Sequence, residues 1–267
     1  IKIAVTGTKG KTSVSWMIKN ILEKNQEKVG VIGTLGTVID GVLYSHKNTT
    51  PESYIVQKYM AEMVRTHTKY LVMEVSSQAL RVGRVNNIIF DYAIFTNLSI
   101  DHIGPREHPT YEDYKESKAK LFQQCRVGIL NCDDLEYKSI IKDCSCQIYT
   151  FGTKKSDLMI QEILPVHSPT FLGTKFSLQG EVNATFQVAA PGNFSAYNAT
   201  AAVFVTKLIN VPLEKIKEGL MEFKVPGRCE IFNIHDKFKV VIDFAHNKIS
   251  MESTIQTIKS YHPNRII

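Results

Sequence analysis

Apolar residues fall into two rhythms in this chain, short β-branched runs and longer stretches in which they return every third or fourth position, and through the first half the two alternate. Ile1 to Val5, Val29 to Ile32, Tyr70 to Val75, Tyr92 to Thr96, Val127 to Leu130 and Ile148 to Phe151 are runs of the buried-strand kind. Between them, Val14 to Leu22 reads as helix, as does the segment opened by Pro51 and Glu52 with Ile55, Tyr59 and Met63 at helical spacing. Tyr111 to Phe122, with Tyr114, Lys118 and Phe122 on one face, and Leu135 to Ile141 follow the same rule. Asp40-Gly41, flanked by Thr37 to Ile39 and Val42 to Tyr44, predicts a hairpin. The alternation predicts an α/β fold with a mostly parallel sheet covered on both faces. From Asp157 to Ala190 strand follows strand, so a small antiparallel sheet is expected, appended to the parallel one. Helical spacing returns over Asn193 to Leu208 and Pro212 to Phe223, and strands over Arg228 to Ile234 and Phe238 to Phe244. The turn dipeptide Pro226-Gly227 follows a completed helical layer. It divides the chain into a domain at 1–225 and, at 226–267, the start of a second, Rossmann-like α/β domain.

With 267 residues and 43% hydrophobic content the chain can bury a sizeable core. Its net charge of +6 is spread without long runs or a basic stripe interleaved with aromatics. That balance favours anionic small molecules and argues against nucleic acid. Cys125, Cys132, Cys144, Cys146 and Cys229 are odd in number and lack CxxC spacing, so neither a zinc site nor a disulfide framework is implied and a reducing cytoplasm is expected. No signal peptide and no membrane-length apolar run is seen, so no membrane association is expected. A monomer is expected. The sequence opens inside a strand without an initiator methionine and stops at Arg265-Ile266-Ile267, which looks like the start of another strand. An interior piece of a longer protein is therefore expected.

The chemistry concentrates where the first strand ends. Thr6-Gly7-Thr8-Lys9-Gly10-Lys11-Thr12-Ser13 lies between that strand and the first helix. Glycines let consecutive backbone N–H groups turn toward phosphate oxygens, and the helix N-terminus adds about half a positive charge. Lys11 can reach the β and γ phosphates of a nucleotide and Thr12 can ligate Mg²⁺. Val5 stands where the usual phosphate-loop pattern has a glycine. Glu74 ends a buried strand beside the loop and is placed to hold Mg²⁺ with Thr12. Taken alone, Glu74 is either a ligand or a strand-terminal acid facing water, His102 either a ligand or a structural histidine, and Lys118 a lysine on a helix face.

Together these segments change that reading. TGTKGKTS at the loop, GVIGTLGT from Gly30, NTTPE from Asn48, MEVSSQAL from Met73, FTNLSIDHI from Phe95, YKESKAKLF from Tyr114 and GRCE from Gly227 run through essentially the whole chain. On them the chain resembles the Mur ligase family, and within it the MurE type, which adds the third amino acid to the UDP-N-acetylmuramoyl dipeptide of peptidoglycan precursors. TGTxGKT is that family's own loop variant. The resemblance implies an ATP-dependent amide ligase that forms an acyl phosphate, from which an N-terminal UDP-binding domain is absent. It implies that Gly7, Thr8, Lys9, Gly10, Lys11, Thr12 and Ser13 bind the phosphates, and that Thr12 and Glu74 hold a first Mg²⁺. A second Mg²⁺ would be held by His102 and a carbamylated Lys118. Asn48, Thr49, Thr50, Ser76 and Arg84 would contact the muramoyl peptide; Asn198, Arg228 and Asp243 would serve the nucleotide.

Three positions depart from the pattern. Gln78 replaces a usual histidine, Ser195 a usual asparagine, and Lys248 falls where Pro-Asp is usual after Asp243-Phe244-Ala245-His246-Asn247. A ligase for another carboxylate, such as a folylpolyglutamate synthetase, and a non-catalytic nucleotide-binding paralogue are the alternatives. NTTP and EVSS argue against the first, and the intact Glu74, His102 and Lys118 against the second.

Overall fold

The computed structural model describes residues 1–105, 107–168, 171–234, 237–245 and 248–267, without the side chains of 248–250. Strands β1 (Lys2–Thr6), β2 (Val29–Gly33), β5 (Tyr70–Glu74), β6 (Phe90–Phe95), β7 (Cys125–Asn131) and β8 (Gln147–Gly152) pair in parallel. Their order, β8-β7-β6-β1-β5-β2, puts β1 at the centre. The hairpin β3 (Gly36–Ile39) and β4 (Val42–Tyr44) extends the β2 edge, turning at Asp40 and Gly41, both at positive φ as the dipeptide required. The expected antiparallel strands, β9 (Leu158–His167), β10 (Leu172–Gly180) and β11 (Ala184–Val188), join the other edge through a parallel β8–β9 pairing. One sheet of eleven strands results, parallel at its centre and antiparallel at both wings.

Period-two alternation along β1 sends Ile3 and Val5 to one face and Ala4 to the other. The first face is covered by α1 (Lys11–Lys24), α6 (Asn193–Leu208) and α7 (Leu213–Met221). The second carries α2 (Ser53–Arg65), α3 (Ser77–Arg81), α4 (Tyr111–Ala119) and α5 (Tyr137–Ile140). Burial on both faces explains why the central strands read as unbroken apolar runs.

Several elements differ from expectation. The helix over Tyr111 to Phe122 ends at Ala119, and Lys120–Gln123 tightens into a 3-10 turn. The helix expected from Leu135 shrinks to α5, because Leu135 lies exposed and offers no core contact to hold a longer one. Helix α3 was not legible: it is short, and its signal is the cap, with Ser76 Oγ accepting from the Ala79 N–H. At the C-terminal end, β12 (Glu230–Ile234) and β13 (Phe238–Ile242) form their own two-stranded sheet, followed by α8 (Lys248–Lys259). Tyr261 beyond them donates from its hydroxyl to the Gly173 carbonyl at 2.6 Å. No helix among the described residues is long and apolar enough to cross a membrane, and all five cysteines are free thiols.

Candidate active site

The parallel strands end on one edge, and the buried polar residues Thr8, Thr12, Glu74, Thr96 and Lys118 lie there. The first turn of α1 holds no acidic residue of its own and no side-chain cap, so its first N–H groups and the dipole behind them suit an anion. Its N-cap, Gly10, has φ of 89°, and a Cβ there would strike the Asn198 amide oxygen. Gly7, at φ of 145°, is pressed against Thr96, where a Cβ would collide with its hydroxyl. Both glycines are thus required by backbone shape and by close neighbours.

The segment after β6 clamps the loop. Thr8 N–H donates to the Asn97 carbonyl at 2.9 Å, Lys9 N–H to Asn97 Oδ1 at 3.0 Å, and Thr96 Oγ1 donates to the Lys9 carbonyl at 2.7 Å. Thr8 Oγ1 lies 2.9 Å from the Tyr114 hydroxyl, and Lys9 pairs with Asp101 at 3.2 Å. Thr12, Glu74 and Lys118 are buried, and Ser13 sits in the first turn of α1. Lys11 folds back over the loop, its Nζ donating to the Gly7 carbonyl at 2.8 Å and the Thr8 carbonyl at 3.2 Å. Burial lowers its pKa, Glu74 opposing and Lys9 and Arg228 adding to the effect. Lys118 Nζ also donates to Gly7, at 3.0 Å, and sits 4.5 Å from the Tyr114 ring centroid. Burial drives its pKa well below the ordinary value and Lys11 pushes it further.

Glu74 does not face water; it is wholly buried, which removes the solvent-facing alternative. Its Oε2 accepts from Thr12 Oγ1 and from Thr34 Oγ1, each at 2.9 Å, and its Oε1 from the Thr34 N–H at 3.0 Å. Thr34 lies 3.1 Å from Thr49, hydroxyl to hydroxyl. Thr50 Oγ1 donates to the Glu74 carbonyl at 2.8 Å and accepts from Ser76 N–H at 3.0 Å. Arg84 reaches the Thr50 carbonyl at 3.3 Å and pairs with Glu52 at 2.6 Å, while its Nε is buried without a partner. Asn48 Nδ2 donates to the same Glu52 oxygen at 3.4 Å. The structure therefore brings Thr49, Thr50, Ser76 and Arg84 into one wall beside Glu74.

Other expected residues lie differently. His102, at φ of 56° and half exposed, directs Nδ1 to Glu107 at 2.8 Å. Asp243 accepts from Cys229 N–H and Ala245 N–H, both at 2.9 Å. Arg228 stacks its guanidinium 4.4 Å from the Phe244 ring centroid. Ser195 donates to the Pro191 carbonyl at 2.7 Å, and the buried Oε1 of Gln78 has no partner. His246 and Asn247 lie outside the described residues. Among the described residues no group of three or more His, Cys, Asp or Glu is arranged to hold a metal.

The sequence reading missed Thr34, Tyr114, Asn97 and Asp133. Asn97 and Asn198, on either side of the loop, border a cavity of about 380 Å³ together with Asn131, Asp133 and Tyr197. Burial alone would raise the Asp133 carboxyl, but hydrogen bonds from Thr153, Tyr197 and Lys154 outweigh it and lower the pKa. For Thr34, Asn97 and Asp133 the signal was position after a strand, and for Tyr114 its place on the helix face that carries Lys118.

A glycine loop between the central strand and a helix, at the C-terminal edge of a parallel sheet, defines a phosphate-loop α/β domain. The Mur ligase middle domain matches residues 5–206. The chain is 37% identical, over 99% of its length, to the UDP-N-acetylmuramoyl-L-alanyl-D-glutamate--2,6-diaminopimelate ligase of Clostridium perfringens (strain 13 / Type A), covering 55% of that protein. It is 35% identical, again over 99%, to the UDP-N-acetylmuramoyl-L-alanyl-D-glutamate--L-lysine ligase of Streptococcus thermophilus (strain ATCC BAA-491 / LMD-9), covering 53% of it. A solved structure of a UDP-N-acetylmuramoyl-L-alanyl-D-glutamate--2,6-diaminopimelate ligase superposes with a TM-score of 0.84 at 28% identity, covering 97% of this chain and 53% of that one. The chain belongs to the Mur ligase family, and it spans about half the length of the relatives it matches.

Proposed function

We propose that the protein to which this chain belongs is an ATP-dependent amide ligase adding an amino acid to a UDP-N-acetylmuramoyl dipeptide in peptidoglycan precursor synthesis. The observation that carries this reading is the juxtaposition of a half-buried and a buried lysine, Lys11 and Lys118, at a glycine loop with a polar wall built from Thr49, Thr50, Ser76 and Arg84. The first suits a triphosphate, the second an acceptor carrying oxygens. The acceptor carboxylate attacks the γ-phosphorus, giving an acyl phosphate and ADP. The incoming amine then adds to the acyl carbon, and the tetrahedral intermediate collapses with loss of phosphate. Lys11 lies where it can swing from its own loop carbonyls onto phosphate oxygens, and the bare N-terminus of α1 stabilises the same charge. Asn198 and the adjoining cavity serve the adenosine in this reading, and Arg228 and Asp243, from the region after residue 225, serve the phosphates and the ribose. We treat 1–225 as the nucleotide-binding domain and 226–267 as the beginning of the next.

The hydroxyl of Thr12 touching the Glu74 carboxylate is a pair of hard oxygen donors that fits Mg²⁺, and His102 with a carbamylated Lys118 would hold a second ion. Bound there, Mg²⁺ supplies charge neutralisation at the phosphates. Lys118 fits carbamylation because its environment favours the neutral amine, the form that adds CO₂ to give a carbamate with release of one proton. The carbamate exchanges a repelling cation for an anionic oxygen ligand. Free thiols fit a cytoplasmic setting, and we read the protein as a monomer.

Phosphate release by the full-length protein should require ATP, Mg²⁺, a UDP-muramoyl dipeptide and an amino acid together. Release with glutamate and a folate in place of the muramoyl substrate, or none with any acceptor, would contradict the proposal.

A further inference from the structure

A chain of three side chains, centred on a buried histidine, lies outside the phosphate and acceptor contacts. His108, 1% exposed, places Nδ1 2.6 Å from Asp113 Oδ2 and Nε2 2.9 Å from Ser77 Oγ. Ser77 is the first residue of α3, next to Ser76 and on the segment that ends in Arg84. Asp113 is in the first turn of α4, five residues before Lys118, and its backbone N–H is capped by Thr110 Oγ1 at 3.1 Å. Arg81, at the other end of α3, adds a second tie, its Nε 3.3 Å from the same Asp113 oxygen. The backbone of His108 closes the intervening loop, donating to the His102 carbonyl at 3.0 Å and accepting from Gly104 N–H at 3.0 Å. The His108 ring packs edge-on against Tyr114 at 5.1 Å, and the Tyr114 hydroxyl meets Thr8.

We propose that His108 is a positioning residue, and that Ser77–His108–Asp113 is a relay locking the acceptor wall to the helix that carries Lys118. A carboxylate only accepts, so Nδ1–H is held by Asp113 and the ring is fixed in one orientation toward Ser77. Ser77 and Asp113 belong to separate elements, and the imidazole bridges them from inside the protein. The same residue anchors the His102 loop through its main chain. One side chain thus sets the spacing between the groups that hold the acceptor and the groups around the phosphates. The burial of Ser77 and His108 argues against a nucleophilic serine: Ser77 is 5% exposed and His108 less, leaving no path for a substrate carbonyl, while the Asp113 side chain at the far end is one-third exposed. The inference rests on the ligase reading for its kinetic consequence and on the structure alone for the link.

The test uses the full-length protein. Ser77→Ala and Asp113→Asn each remove one end of the relay, and Ser77→Thr keeps the hydroxyl. The relay predicts that Ser77→Ala lowers kcat by about tenfold to a hundredfold, the scale of a small misplacement of reacting groups, with the KM for ATP nearly unchanged. Ser77→Thr should recover most of the loss. The double variant Ser77→Ala with Asp113→Asn should be little worse than either single one, since both break the same chain. Multiplicative losses in the double variant, or a rise confined to the KM for ATP, would overturn the relay. Hydrogen exchange separates this from the function itself: in His108→Asn, protection should fall together in Ser77–Arg81 and in the first turn of α4. Loss in only one of those segments overturns the link whether or not the wild type ligates, whereas a wild type without ligase activity but with paired loss of protection overturns the ligase reading and leaves the link standing.

Discussion

Glu74 and Lys118 are both buried at the same sheet edge, yet their surroundings differ in kind. The Glu74 carboxylate takes hydrogen bonds from Thr12, from the Thr34 hydroxyl and from the Thr34 N–H. Lys118 has one backbone carbonyl and an aromatic face, Lys11 has two carbonyls, and the cations repel one another. The acidic region is complete by itself, its charge stabilised by donors the fold already supplies. In the cationic region the ammonium groups are desolvated with no carboxylate bonded to them, an arrangement that costs stability until an anion enters. On the ligase reading the contrast puts the phosphates on the loop side and the acceptor along Thr49, Thr50, Ser76 and Arg84, with Glu74 and Thr12 between the two as the Mg²⁺ pair.

The largest effect expected on this contrast is from Lys11→Ala. Phosphate release should fall by about 100–1,000-fold, the loss found when one preorganised donor is taken from a developing oxyanion. Near-normal turnover would show that the loop is a structural turn. Lys118→Ala should come next, losing most activity, with partial recovery when acetate is added to occupy the position of the carbamate. Activity retained in Lys118→Ala, with no carbamate carbon visible by ¹³C NMR in labelled bicarbonate, would remove Lys118 from the site. Lys118→Met should meanwhile stabilise the ligand-free protein by about 1 kcal/mol or more in urea unfolding, since it removes a buried cation while keeping the apolar stem. A destabilised Lys118→Met would mean that Gly7 and Tyr114 satisfy the amine after all.

On the wall side, Ser76→Ala and Arg84→Ala should raise the KM for the muramoyl peptide by about tenfold and leave that for ATP within about twofold, the signature of lost uniform binding to one substrate. Equal shifts for both substrates would merge the two regions. The smallest effect is a pH slope. Lys11 and Lys118 have folded pKa values below the ordinary 10.5. The unfolded chain therefore binds more protons than the folded one between those lowered values and 10.5. Stability of the ligand-free protein rises with pH through that window and levels off above it. Lys118→Met should flatten the slope, and a slope unchanged by this substitution would place its origin elsewhere.

Much of this was legible in the sequence because the central strands are buried on both faces and their ends carry distinctive residues. The loop from Gly7 to Ser13 and Glu74 could be placed by order alone, as strand, turn, helix and the neighbouring strand end. Thr49, Thr50, Ser76 and Arg84 lie close together, although nothing in their local patterns shows that Thr50 bridges Glu74 and Ser76. Thr34 was invisible because its role depends on the β2 end meeting Glu74 on the neighbouring strand β5, a tertiary fact. His102 shows the same limit: its type suggested a ligand, while the contact of its Nδ1 with Glu107 depends on a loop conformation no periodicity encodes. Helix α3 was missed because five residues carry no measurable period.

The central claim is that the loop's cations await a nucleotide's phosphates. Thermal or urea unfolding of the full-length wild type and Lys11→Ala, each with Mg²⁺ and a non-hydrolysable ATP analogue, tests it most directly. At a hundred times the wild-type Kd the analogue should stabilise the wild type by about 2.7 kcal/mol and Lys11→Ala by far less at the same concentration. Equal stabilisation of the two proteins would contradict the account.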